Sequence, residues 1–343
     1  MRIMPAIQVL AAAALLLMTA GCRKELCYDH DHWKADVQAE WDNVWERDYG
    51  RAWQQAADLP GGFVYDSLRP APGTGIAALV YGEDGTATER HLGAAGGVLP
   101  VGEGEHQILM YNDNTEYIVF SSMNSWAEAS ATTRTRLRST FSLDHGNDTT
   151  VNSPDMLYGA WISSYEVTLS PDGEPEVLPV VLKPLVYRYL VFFEFESGIE
   201  YVQLARGALS GMAQSVFLQN GRTGPGKATV LFDETDVDQE RSLVSAVVNS
   251  FGVPDFPDKY YPGKAPGEVT GAFGLNLEVM LPDGKIKSFD FDISAQMSDQ
   301  PRGGVIVVSG IEVSESDFGG GGGNGFSVDV SDWGDYEDIT LPL

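Results

Sequence analysis

The sequence predicts an all-β protein built as two tandem β-sandwich domains. Apolar and polar residues alternate at period two through most of the chain, turn signals recur roughly every ten residues, and no long segment repeats its apolar residues at helical spacing. Alternation at period two is what a strand with one buried face requires, and short strands between frequent turns are the pattern of sandwiches.

Taken in order, the chain opens with Met1-Arg2-Ile3, an uncharged apolar run over residues 7–18, and Thr19-Ala20-Gly21-Cys22. A basic start, a short apolar stretch and small residues before a cleavage point make an export signal. The run is shorter than the ~20 apolar residues that span a bilayer. Ala20-Gly21-Cys22 resembles the bacterial lipobox, although Thr19 stands where that motif prefers Leu. The expectation is therefore that residues 1–21 are a lipoprotein signal peptide and that Cys22 is the lipidation site. Several acyl chains on one residue would hold the protein stably, since each buried CH₂ contributes about 0.8 kcal/mol.

Beyond the leader, Trp33, Ala35, Val37, Ala39 and Trp41 share one face of a strand, with Lys34, Asp36, Gln38 and Glu40 on the other. Residues 76–81 and 86–92 read as a hairpin around Gly82-Glu83-Asp84-Gly85. Residues 106–112 and 117–121 are short strands, and 166–169 and 176–182 flank the turn Ser170-Pro171-Asp172-Gly173. A new apolar strand over 186–195 starts the second domain. Residues 202–212 have room for one or two helical turns, against which Gly207 and Gly211 act. Leu275, Leu277, Val279 and Leu281 alternate, Pro282-Asp283-Gly284 turns the chain, and Phe289, Phe291 and Ile293 alternate back. A glycine run over 319–323 leads to a last strand at Phe326, Val328 and Val330. The expected domains are 22–183 and 184–343, the second ending in this glycine-rich tether and strand.

Composition narrows the function. With 22 basic and 49 acidic residues the formal charge is −27, a surface that repels nucleic acid. The chain has 2 cysteines, and Cys27, five positions from the anchor, leaves no disulfide framework.

Several motifs invite chemistry and are each met by a plainer reading. Gly221-Arg222-Thr223-Gly224-Pro225-Gly226-Lys227-Ala228 has the spacing of a phosphate loop, but Ala228 replaces the Mg²⁺-ligating hydroxyl and a strand-like stretch follows where a helix is needed. It reads as a loop between strands. Asp29-His30-Asp31-His32 would place two imidazoles on one face, yet His91, His106 and His145 are scattered, so no third ligand is evident. The clusters Asp233, Asp236, Asp238, Glu240 and Asp329, Asp332, Asp335, Glu337, Asp338 lack the glycine-centred spacing of a calcium loop. No glycine-bracketed serine elbow exists, since Ser210-Gly211 lacks its first glycine. Trp33, Trp41, Trp45 and Trp53 would make a glycan platform if exposed; alternation with charge assigns Trp33 and Trp41 to the core. Neither a cofactor nor a metal is expected, and the chain reads as a binding protein rather than an enzyme.

Cys22-Arg23-Lys24-Glu25-Leu26-Cys27-Tyr28-Asp29-His30, Met110-Tyr111-Asn112-Asp113-Asn114-Thr115-Glu116-Tyr117-Ile118, Pro154-Asp155, and Ala205-Arg206-Gly207-Ala208-Leu209-Ser210-Gly211-Met212-Ala213 together resemble an uncharacterised family of Bacteroides-type lipoproteins, itself similar to minor fimbrial anchoring subunits. The resemblance implies transthyretin-like or fimbrillin-like sandwich domains on an outer-membrane lipoprotein displayed at the cell surface. It further implies pilin-like fimbrial subunits as partners, captured by β-strand addition. The alternative from another class is a lipid-anchored surface glycan-binding module; a hydrolase would need a deep cleft with two carboxylates.

Overall fold

In the computed structural model the described residues are 33–42, 70–138, 149–167, 174–258, 272–298, 300–318 and 337–339. The leader, Cys22, Cys27, residues 29–32, Trp45, Trp53, the turn at 170–173, the glycine run and Phe326, Val328 and Val330 lie outside them.

The first strands are β1 (Lys34–Trp41), β2 (Gly75–Tyr81), β3 (Ala87–Gly93), β4 (Gly96–Pro100), β5 (Glu105–Asn112), β6 (Ile118–Ser121), β7 (Ser130–Thr133), β8 (Thr135–Leu137), β9 (Thr150–Asn152), β10 (Tyr158–Glu166) and β11 (Glu176–Pro184). Then follow β12 (Tyr187–Ser197), β13 (Leu204–Ala213), β14 (Ser215–Phe217), β15 (Lys227–Phe232), β16 (Thr235–Asp238), β17 (Leu243–Ser250), β18 (Gly274–Met280), β19 (Ile286–Asp292), the single turn α1 (Ser294–Met297), β20 (Gly304–Glu312) and β21 (Glu337–Ile339).

The chain is nearly all β, as its alternation predicts, but seven of the early strands close into a barrel, β1-β11-β10-β5-β2-β3-β4, instead of the open sandwich expected there. The closing element is β1, which lies parallel to β11 and antiparallel to β4. Local alternation carries no information about a parallel partner some 140 positions away. Gly96 permits the closure: its φ is +99°, and a Cβ on it would sit 2.0 Å from the Val37 carbonyl oxygen. Ala35, Val37, Ile76, Val80, Ile108 and Met110 fill the interior.

Strand β2 is buried along its whole length because it serves two cores. Ile76, Ala78 and Val80 point into the barrel. Ala77, Leu79 and Tyr81 point outward under a small sheet ordered β14-β7-β6.

The remaining strands make a sandwich, with β16-β17-β12-β20 facing β19-β18-β13-β15-β9-β8-β21. As its aromatic run predicts, β12 is central, between β17 and β20, with Tyr189, Val191, Phe193 and Phe195 in the core. The hairpins β2–β3 and β18–β19 form where their turn residues place them. Residues 204–213, by contrast, are strand and not helical turns. Gly207 and Gly211 weaken a helix, and pairing to both β15 and β18 settles the matter. Strands β8 and β9 precede residue 183, yet they pair within the larger sandwich sheet, through β9 alongside β15. A buried charge cluster reinforces that junction. Glu278 on β18 accepts from Arg206 Nε on β13 at 2.6 Å and lies 3.7 Å from Arg138 Nη1, just past β8, all three side chains being at most 3% exposed.

Candidate functional site

A chain that binds by strand addition needs a row of backbone N–H and C=O groups that another strand can reach. The barrel offers less of this, because its strands close into a ring, although β10 meets β11 only at Tyr158–Pro184 and Gly159–Lys183 and β3 meets β4 only at Gly93–Gly96. The sandwich has four outermost strands: β16, β20, β19 and β21. Strand β16 is short and carries Asp236 and Asp238, the latter 3.3 Å from Arg241. Strand β19 is longer and half-exposed, with Lys287 inside its run.

The fourth edge is different in kind. Strand β8 is only three residues long and is completed by β21, which comes from the far end of the chain with Glu337 opposite Leu137, Asp338 opposite Arg136 and Ile339 opposite Thr135. The β8 edge thus accepts an added strand supplied from a distance in sequence. Arg136 on β8 is fixed by two hydrogen bonds to the Asp233 carboxylate, at 3.1 and 3.4 Å. Leu137 beside it is 44% exposed.

A cleft of about 670 Å³ lies against this edge, lined by Tyr117, Arg136, Asp155, Arg188, Asp233 and Asn249 among others. Hydrogen bonds cross-link its walls: Asp155 Oδ2 accepts from the backbone N–H of Glu116 and of Tyr117 at 2.6 and 2.5 Å, and Asn249 Nδ2 donates to the Pro154 carbonyl at 3.0 Å. Arginines set among carboxylates and amides suit a polar ligand or an extended peptide backbone. The groups with shifted ionisation are elsewhere. Burial pushes the Tyr81 and Tyr158 hydroxyls up to about 12, while the Thr86 hydroxyl and N–H hold the Asp84 carboxyl below its ordinary value in the β2–β3 turn.

The other sequence candidates fall into structural roles. The glycine-rich stretch from Gly221 to Ala228 joins β14 to β15, with Lys227 and Ala228 already in strand. Its Thr223 hydroxyl donates to the Val253 carbonyl at 2.6 Å and accepts from Phe256 N–H at 2.8 Å, so the loop is fastened to its neighbour. Trp33 and Trp41 pack on the barrel core. Trp41 Nε1 donates to the Ala94 carbonyl at 2.8 Å, and its ring meets Tyr158 edge-on at 5.3 Å. Ser210 lies within β13 with its hydroxyl 3.3 Å from the Gly274 carbonyl. Among the described residues no group of three His, Cys, Asp or Glu side chains is placed to hold a metal ion. Sequence reasoning overlooked Arg136 and the Arg138–Glu278–Arg206 cluster; the local signal that was there is the period-two run Arg134, Arg136 and Arg138 in a strongly acidic chain.

Comparison with known proteins places these features in context. A family model described as a domain of unknown function, DUF5119, matches residues 69–233. A curated protein of Bacteroides ovatus, provisionally named fimbrium anchoring subunit Fim4B, is 23% identical over 349 aligned positions that cover 96% of each chain. The chain therefore resembles a fimbrium anchoring subunit along nearly its whole length. Of the solved structures, a Bacteroides ovatus ATCC 8483 protein provisionally described as an adhesin aligns with a TM-score of 0.54 at 19% identity, over 82% of this chain and 94% of that one. The two share a fold. The fimbrial anchor protein Mfa2 of Porphyromonas gingivalis aligns with a TM-score of 0.43 at 12% identity, over 80% and 90% of the two chains, too low to carry further argument.

Proposed function

We propose that this chain is an outer-membrane lipoprotein, held by acylated Cys22, that acts as a fimbrial anchor or accessory subunit and binds pilin-like subunits by β-strand addition. The observation that carries the proposal is the β8 edge, which is completed by a three-residue strand from the opposite end of the sequence. Main-chain hydrogen bonds at such an edge are indifferent to side-chain identity, so a partner's strand can make the same ladder. The likeness to a provisionally named fimbrium anchoring subunit supports a fimbrial accessory role at the cell envelope, as does the shared fold with an adhesin. The domain reading that goes with it is a transthyretin-like or fimbrillin-like arrangement over 22–183 and 184–343. Among the described residues no helix is long and apolar enough to cross a membrane.

The test is capture of filament subunits from the native host by the acylated protein, with mass spectrometry of the mature N-terminus. The expected result is a lipid-modified Cys22 and co-purified filament subunits. A bare thiol, or unaltered surface filaments after deletion of the gene, would defeat it. A second reading, a surface glycan-binding module, now draws on the Tyr117-lined cleft, since Trp33 and Trp41 are packed in the core. Retardation in gels cast with host or plant polysaccharides would favour it.

A further inference from the structure

Strand β20 has an edge that a protein in water rarely leaves bare. It runs Gly304–Glu312, five of its nine residues are Val or Ile, and β12 pairs with it on one side alone. On the other side two glutamine side chains stand where a strand would be. Val305 N–H donates to Gln300 Oε1 at 2.5 Å and Gln300 Nε2 donates to the Val305 carbonyl at 2.8 Å. Two residues on, Val307 N–H donates to Gln296 Oε1 at 3.0 Å and Gln296 Nε2 donates to the Val307 carbonyl at 2.8 Å.

A primary amide is a peptide group in miniature, so each glutamine closes the two-bond ring that a neighbouring strand would make. Two residues along a strand advance about 6.6 Å, and Gln296 within α1 and Gln300, three residues past its end, reach alternate residues of the edge, Val307 and Val305. Ile293 and Met297 are buried in the sandwich core and pin α1 in place. Gly304 makes room, since a Cβ there would lie 1.9 Å from Gln300 Oε1. Lys287 Nζ donates to the Glu312 carbonyl at 2.9 Å and covers the strand's far end.

We infer that Gln296 and Gln300 seal the β20 edge against pairing with a second copy of this chain. An isologous contact, β20 against β20 about a two-fold axis, is the association that an uncovered edge of this composition favours. The inference is independent of the fimbrial reading, and it leaves strand addition to the β8 side of the sandwich.

Two measurements test it. In the unmodified protein, hydrogen exchange of the Val305 and Val307 amides is expected to be as slow as in central strand β12; exchange at the rate of an open edge overturns the inference whatever any variant does. In Q296A/Q300A, light scattering after size exclusion is expected to show self-association at least about tenfold tighter than in the parent, and adding V307K is expected to restore the monomer by placing a charge on the edge. A double variant that keeps its near-ultraviolet dichroism and remains monomeric overturns the inference, as does association that persists with V307K present.

Discussion

Over residues 35–38 of β1 in the barrel the backbone faces a strand on either side, β11 parallel and β4 antiparallel, while in the sandwich both sheets simply stop at their outer strands. The barrel removes most of its edges by closing, at the cost of backbone conformations only glycine adopts easily. The sandwich keeps its edges and treats each differently: acidic residues on β16, amides over β20, an inward lysine on β19, and the chain's own end on β8. Edges left in place are available for use, and the strand addition proposed above draws on the sandwich edge at β8.

Substitutions in each unit test this contrast. The largest effect is expected from Glu278→Ala, which removes a buried counter-charge of Arg206 and Arg138; removing one partner of a buried pair costs about 3–5 kcal/mol. Urea unfolding should show that loss in the sandwich transition, and a loss under about 1 kcal/mol would mean that the cluster does not hold β8 to the sheet. Next is Gly96→Val in the barrel. Its positive φ and the close Val37 carbonyl predict a destabilisation of roughly 1–3 kcal/mol, read as faster hydrogen exchange along β1 and β4 with β12 unaffected. Exchange that rose equally in both units would show that the barrel is not a separate cooperative structure. Trp41→Phe removes the bond to the Ala94 carbonyl and keeps an aromatic ring, for a loss of about 1 kcal/mol by the same measurement.

The smallest effect at neutral pH is expected from Tyr158→Phe, whose consequence emerges in alkali. The Tyr158 hydroxyl is raised from 10.0 to about 12 by burial, as is that of Tyr81. A raised folded-state value means that their contribution to stability is complete below pH 10 and is lost as pH climbs toward 12. The variant should lose part of this alkaline slope, and an unchanged slope would mean that other groups govern it.

The parts of the fold that are local were readable. The β2–β3 and β18–β19 hairpins announce themselves through Gly82-Glu83-Asp84-Gly85 and Pro282-Asp283-Gly284, and β12 through its aromatic alternation. Closure of the barrel was not, since the parallel match of Ala35 with Glu176 leaves no trace at either site. Nor was β13, where short apolar spacing suits a helix as well as a strand until two neighbours claim it. Among candidate residues, the reassignment of Trp33, Trp41 and the glycine-rich loop to structural duties was legible from alternation and from the missing hydroxyl at Ala228. The role of Gln296 and Gln300 was invisible, because a side-chain amide that imitates backbone leaves no pattern in hydrophobicity or charge.

The placement of β1 also has a mechanical consequence. A pull arriving from residues ahead of Lys34 acts along the strand, between β11 and β4, and so loads both ladders in shear with many hydrogen bonds stretched together instead of one after another. Resistance to such a pull is governed by the rate of forced unfolding and not by equilibrium stability. Tension from the N-terminal side therefore bears first on β1 and the two ladders that hold it.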